Sequence, residues 1–166
     1  MSYRNKTYII FDADKDMLNY RLMQAWKVNK KINFNFYNAH EINNIWSKSN
    51  EETIKRRLRE RMSNAKQAIV LVGESTRYLN KFVRWEIEVA LSLDLPIIAV
   101  NLDKSNRANE KTPAILRDRA YFVTVPFETK KIKYALDFFP KEYKKYKAQA
   151  PSARNYNWNK VNTSGK

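Results

Sequence analysis

Apolar positions along the 166-residue chain fall into two recurring patterns, short β-rich runs and longer stretches with helical spacing, and the two alternate. The run "TYIIFDAD" (7–14) is apolar until it meets two aspartates, and "DKDMLNYRLMQAWK" then sets Leu18, Leu22, Ala25 and Trp26 at helical intervals. "INFNFYNAH" alternates Ile32, Phe34 and Phe36 with Asn33, Asn35 and Tyr37, the period of a half-exposed strand, and a polar loop follows it to about residue 48. "SNEETIKRRLRERM" has Ser49 and Glu52 in capping-box spacing, Ile54, Leu58 and Met62 four apart, and cations near its end, where the helix dipole favours them. "AIVLVG" (68–73) and "LPIIAVNLD" (95–103) are continuous apolar runs, as in strands covered on both faces, and the amphipathic helix "KFVRWEIEVAL" (81–91) lies between them. A short helix around "PAILRD" precedes a fifth strand, "AYFVTVPF" (120–127). The last helix, "KKIKYALDFFPKEYKKYK", is predicted to break or kink before Pro140, because proline disfavours helical geometry in its predecessor.

Five βα units in alternation predict an α/β sandwich with a parallel sheet, since parallel neighbours need crossovers and the crossovers are helices. The expected strand order is 2-1-3-4-5, and ligands bind beyond the carboxyl ends of the strands at the switch point, here between strands 1 and 3. The candidate site is then Phe11, Asp12 and Asp14 after strand 1, Gly73, Glu74 and Ser75 after strand 3, and the loop with His40 and Trp46 after strand 2. Residues 1–148 form one domain, large enough for a single core. Residues 149–166, "QAPSARNYNWNKVNTSGK", lack periodicity and read as a basic C-terminal tail, docked or disordered, whose removal should leave the fold intact.

Composition narrows the chemistry. There is no cysteine and one histidine, His40, which removes thiol nucleophiles, disulfides and histidine metal clusters. Two glycines, Gly73 and Gly165, are too few for a Gly-rich phosphate loop. Asp12, Asp14 and Asp16 are spaced two apart and splay around a helix start, so capping by Asp14 accounts for part of the set and no metal is expected. The formal charge is +15, and residues 130–166 carry ten Lys or Arg against Asp137 and Glu142, 10 − 2 = +8, so the excess is concentrated in the C-terminal segment. A solvated surface explains that better than specific nucleic-acid recognition. No apolar run is long enough to span a membrane and no signal peptide opens the sequence, which places the protein in the cytoplasm.

Within "KFVRWEIEVAL" the two glutamates differ. Glu86 has Phe82, Val89, Ala90 and Leu93 one to two turns away, an apolar stripe, whereas Glu88 has Arg84, Trp85, Leu91 and Ser92 and can stay wet. A desolvated glutamate gains proton affinity, and its anion gains from any positive charge brought near, which suits stabilising a cation. Pairing with Arg84 or Arg77 is the structural alternative.

"FVRWEIEVAL", after "RLRERMSNAKQAIVLVGEST" and before "LPIIAV", together with "IIFDADKDMLNYRLMQAW", resembles the bacterial TIR-like domains of the Thoeris antiphage defence type, the ThsB-like TIR family, over about residues 7–127. The resemblance implies a flavodoxin-like three-layer sandwich of order 2-1-3-4-5. It also implies an enzyme that cleaves NAD at the nicotinamide–ribose bond, NAD being substrate and no cofactor being needed. Glu86 falls on the family's catalytic glutamate, and Phe11, Asp12, His40, Ser75 and Phe82 become candidate substrate contacts. Phe82 stands where many TIR enzymes carry tryptophan, and "FDAD" where many carry a serine-bearing segment. The implied partners are NAD, a downstream effector reached through an ADP-ribose-derived product, cyclic or otherwise modified, and other copies of the TIR domain. A TIR module that only binds protein partners is the rival reading.

Overall fold

The computed structural model describes residues 7–28, 50–78 and 81–161. The elements in chain order are β1 (Thr7–Ile10), α1 (Ala13–Val28), α2 (Glu51–Met62), β2 (Gln67–Val72), α3 (Lys81–Ser92), β3 (Ile97–Asn101), α4 (Ala114–Arg119), β4 (Tyr121–Pro126), α5 (Thr129–Tyr146) and β5 (Ser152–Asn155). Short 3-10 turns at Thr76–Tyr78 and Lys147–Gln149 precede α3 and β5. The sheet is parallel throughout and runs β1-β2-β3-β4-β5.

The continuous apolar strands have the two covered faces their composition implies. Ile9, Ile69, Ile98 and Val123 are in register across four strands and form one face's core with Tyr20 and Met23 of α1 and Ile132, Leu136 and Phe139 of α5. Tyr8, Ala68, Ile97 and Phe122 form the matching row on the other face, under Ile54 and Leu58 of α2, Ile87 and Ala90 of α3, and Leu116 of α4. This is the expected α/β class, with helices on both sides of a five-stranded parallel sheet.

The order differs in where the fifth strand comes from. The expected strands 1, 3, 4 and 5 are β1 to β4, side by side as anticipated, and the expected second strand, Ile32–Tyr37, lies outside the described residues. The fifth described strand is Ser152–Asn155, from the segment read as a tail. It pairs with β4 from Tyr121↔Ser152 to Thr124↔Asn155. Beyond it, Asn106 Nδ2 donates to the Tyr156 carbonyl (3.0 Å) and Trp158 Nε1 donates to Asn106 Oδ1 (2.5 Å). Periodicity could not reveal this strand, because only backbone pairing and two aromatic anchors hold it.

Local readings change as well. Helix α1 buries Asp16, Tyr20 and Met23, while Leu18 and Leu22 of the expected apolar stripe are 79% and 45% exposed. Its N-cap is Asp12, whose Oδ1 accepts from Asp14 N at 3.0 Å, so Asp14 is not the cap. Helix α2 is capped by Asn50, whose side chain accepts from Thr53 N at 2.8 Å, and Ser49 of the expected capping box lies outside the described residues. Helix α5 continues through Pro140 without breaking. A proline inside a helix costs about 3 kcal/mol, and the fully buried face of Ile132, Ala135, Leu136 and Phe139, continued by Tyr143, offsets it.

Candidate functional site

Helix α3 packs on the sheet through Val83, Ile87, Val89 and Ala90, with Phe82 and Leu93 partly buried against the same core. That rotation turns Glu86 inward, and it is only 8% exposed. Burial raises its carboxyl to about 8, against a pull downward from the Tyr8 hydroxyl of β1. Tyr8 is itself pushed well above the ordinary tyrosine range, first by burial and then by the Glu86 charge, while Arg61 at the end of α2 pulls it the other way. At neutral pH the resting Glu86 is therefore mostly protonated, a neutral acid beside a neutral phenol.

Glu88 has the opposite environment. Lys55 Nζ lies 2.5 Å from Oε2 and Arg84 Nε 3.0 Å from Oε1, and these partners, Lys55 first, hold its carboxyl below the usual range. The arginine that might have neutralised Glu86 is thus engaged two residues away. Arg77, the other candidate, donates to the Tyr78 hydroxyl at 2.9 Å.

At the carboxyl ends of β1 and β2 a second group of polar residues meets. Ser75 donates its hydroxyl proton to Asp12 Oδ2 at 3.0 Å, joining two expected contacts that are 63 residues apart in the chain. Gly73 N donates to Thr76 Oγ1 at 2.8 Å. A Cβ on Gly73 would lie 2.4 Å from Asp16 Oδ1, so only glycine lets the strand end approach this carboxylate. Asp16 is buried, and burial followed by repulsion from Asp12 lifts it to about 6.

The remaining candidates are dispersed. Phe11 is 3% exposed, stacked on Tyr20 at 4.5 Å, and belongs to the core on the sheet face opposite Tyr8 and α3. Phe82 lies one turn before Glu86 and meets Trp85 edge to face at 5.5 Å. Asp14 is exposed, and Glu74 pairs with Lys111 at 2.6 Å. His40 and Trp46 lie outside the described residues. Among the described residues, no group of three His, Cys, Asp or Glu could hold a metal ion, and no helix is long and apolar enough to cross a membrane.

Sequence reasoning missed Tyr8 and gave Asp16 no place in the site. The signal for Asp16 was its place four residues after Asp12 and four before Tyr20, a polar and aromatic stripe passed over in favour of the leucines. Tyr8 carried no signal, because its link to Glu86 spans 78 residues of sequence, 86 − 8.

A parallel sheet covered by helices on both faces is the flavodoxin-like architecture of TIR-like domains. The family model for the TIR-like domain of the Thoeris protein ThsB matches residues 8–107, from β1 through α3 and β3 into the next loop. The chain belongs to that family, and its role lies in antiphage defence signalling.

Proposed function

We propose that this domain cleaves NAD at the bond between nicotinamide and ribose, with Glu86 as the catalytic group, and that the ADP-ribose-derived product is the defence signal. The observation that carries the reading is the burial of Glu86 on the family's glutamate helix with its acidity shifted to about 8, while the nearby arginine is bound to Glu88. When the C–N bond breaks, its electron pair passes to the pyridinium nitrogen, which becomes neutral, and positive charge develops on the ribose. A carboxylate held in a water-poor setting stabilises that charge far better than one in water. The cationic nicotinamide ring favours the ionised form of Glu86 as it arrives, so substrate binding itself prepares the anion. Attack by water, or by a group of the same molecule, then gives a linear or a cyclic product. The reaction proceeds in the cytoplasm, where NAD is present, and copies of the domain assemble to bring it about.

The test is release of nicotinamide from NAD, followed by chromatography, for the wild type and for Glu86→Gln, with and without extract from phage-infected cells. The rival reading is a TIR module that acts only by assembling with protein partners, and the 8% exposure of Glu86 favours it in the resting state. Nicotinamide release by the wild type alone supports the enzyme. Equal and negligible release by both proteins under all conditions supports the module.

A further inference from the structure

We propose that the cavity between α1 and the start of α5 is a binding site for a nucleoside phosphate, separate from Glu86. The cavity has a volume of about 690 Å³ and lies at the carboxyl ends of β3 and β4, where ligands of parallel α/β sheets bind. Its aromatic wall is Trp26 of α1 against Phe127, the first residue after β4, with ring centroids 4.9 Å apart. Both rings belong to the core of the sheet face opposite α3, so the cavity and Glu86 are on different sides of the sheet.

The cationic wall is Lys104, Lys130 and Lys131. Glu128 also lines the cavity, and its charge is answered locally by Lys131 at 2.7 Å. Among the described residues Lys104 and Lys130 have no ion-pair partner, so the cavity keeps an excess of positive charge. Lys104 is not displayed on a loose loop. Its backbone is left-handed, with φ 66°, a conformation that costs a lysine energy and is maintained only by surrounding structure. That structure is Asn101, 1% exposed, whose Nδ2 donates to the carbonyls of Ser105 (3.0 Å) and Arg107 (2.9 Å), while Asp103 Oδ1 accepts from Ser105 N at 2.8 Å.

A lone inorganic anion would leave most of 690 Å³ and the indole face unused. A nucleoside phosphate uses both walls, its base stacked on Trp26 and its phosphates on Lys104 and Lys130. A concave site of this size suits one nucleotide better than a polymer.

The experiment is calorimetric titration of the full chain with ADP, for the wild type, Lys104→Gln/Lys130→Gln, Trp26→Leu and Glu86→Gln. The double lysine variant replaces exposed side chains and should stay folded. ADP affinity should fall about tenfold or more in the double variant, as expected for losing charge-assisted phosphate contacts, and about fivefold or more in Trp26→Leu. Glu86→Gln should bind ADP as the wild type does, whatever becomes of NAD cleavage, so failure of the enzyme reading leaves this test intact. The proposal is overturned if ADP does not bind at millimolar concentration, if the double variant binds it unchanged, if inorganic phosphate binds as tightly as ADP, or if a single-stranded oligonucleotide binds far more tightly.

Discussion

The Tyr8 hydroxyl of β1 acts on the Glu86 carboxyl of α3 and lowers its proton affinity, linking the candidate catalytic group to the sheet's first strand rather than to the arginine two residues before it. This influence favours the glutamate anion, whereas burial favours the acid, and burial wins. Because the anion is the useful form, kcat/KM for NAD cleavage, which reports the free enzyme, should rise with pH and level off above about 8. Tyr8→Phe removes the one contribution that lowers the Glu86 value, so its activity profile should move to higher pH. A pH–rate profile of the two proteins decides this, and superimposable curves would show that the tyrosine does not tune the acid.

The same shift sets a stability trend. The native carboxyl of Glu86, at about 8, holds its proton more tightly than the ordinary 4.5 of an unfolded chain. Its contribution to stability is therefore complete below about pH 4.5 and is lost as pH rises towards 8. Asp16 adds a loss of the same sign between 3.8 and about 6. Glu86→Gln should be more stable than wild type at pH 8, with the difference shrinking as pH falls towards 5. Melting curves across that range measure it.

In the nicotinamide-release assay, Glu86→Gln should lower turnover by about a hundredfold or more, the scale of losing one pre-organised electrostatic group. Glu88→Gln, bound to Lys55 and Arg84 near the surface, should leave turnover nearly unchanged and cost at most about 1 kcal/mol. Like behaviour of the two variants would make the inward glutamate structural.

Gly73→Ala drives a methyl group into the Asp16 carboxylate, with contacts of 2.4 and 2.7 Å to its oxygens. The expected cost is about 1–3 kcal/mol, seen as a lower urea midpoint at unchanged slope. An unchanged midpoint would mean that α1 retreats without penalty.

Truncation after Ala150 removes β5, Tyr156 and Trp158 together. Tyr156 donates to Glu142 Oε2 at 3.1 Å and meets Tyr134 edge to face at 5.1 Å, so the segment holds α5 as well as the sheet edge. A fall in Tm of roughly 5 °C or more is expected from the loss of two partly buried aromatics and a strand. Full retention of Tm would return the segment to the status of a dispensable tail.

What the sequence determined by itself was whatever local periodicity encodes. The runs at 7–10, 67–72, 97–101 and 121–126 read as covered strands, the stretches at 13–28, 51–62, 81–92 and 129–146 read as helices, and Glu86 reads as inward-facing because its turn neighbours are apolar. Tertiary structure decided what periodicity is blind to. The cap at Asp12 sets the rotation of α1 and buries Asp16 and Tyr20 in place of Leu18 and Leu22. Packing on both sides of Pro140 keeps α5 whole. Backbone pairing with β4 turns the polar "SARN" into a strand. Tyr8 became a partner of Glu86, and Ser75 of Asp12, only when strands far apart in sequence came into register, since a hydrogen bond depends on positions in space that no local pattern of residue types contains.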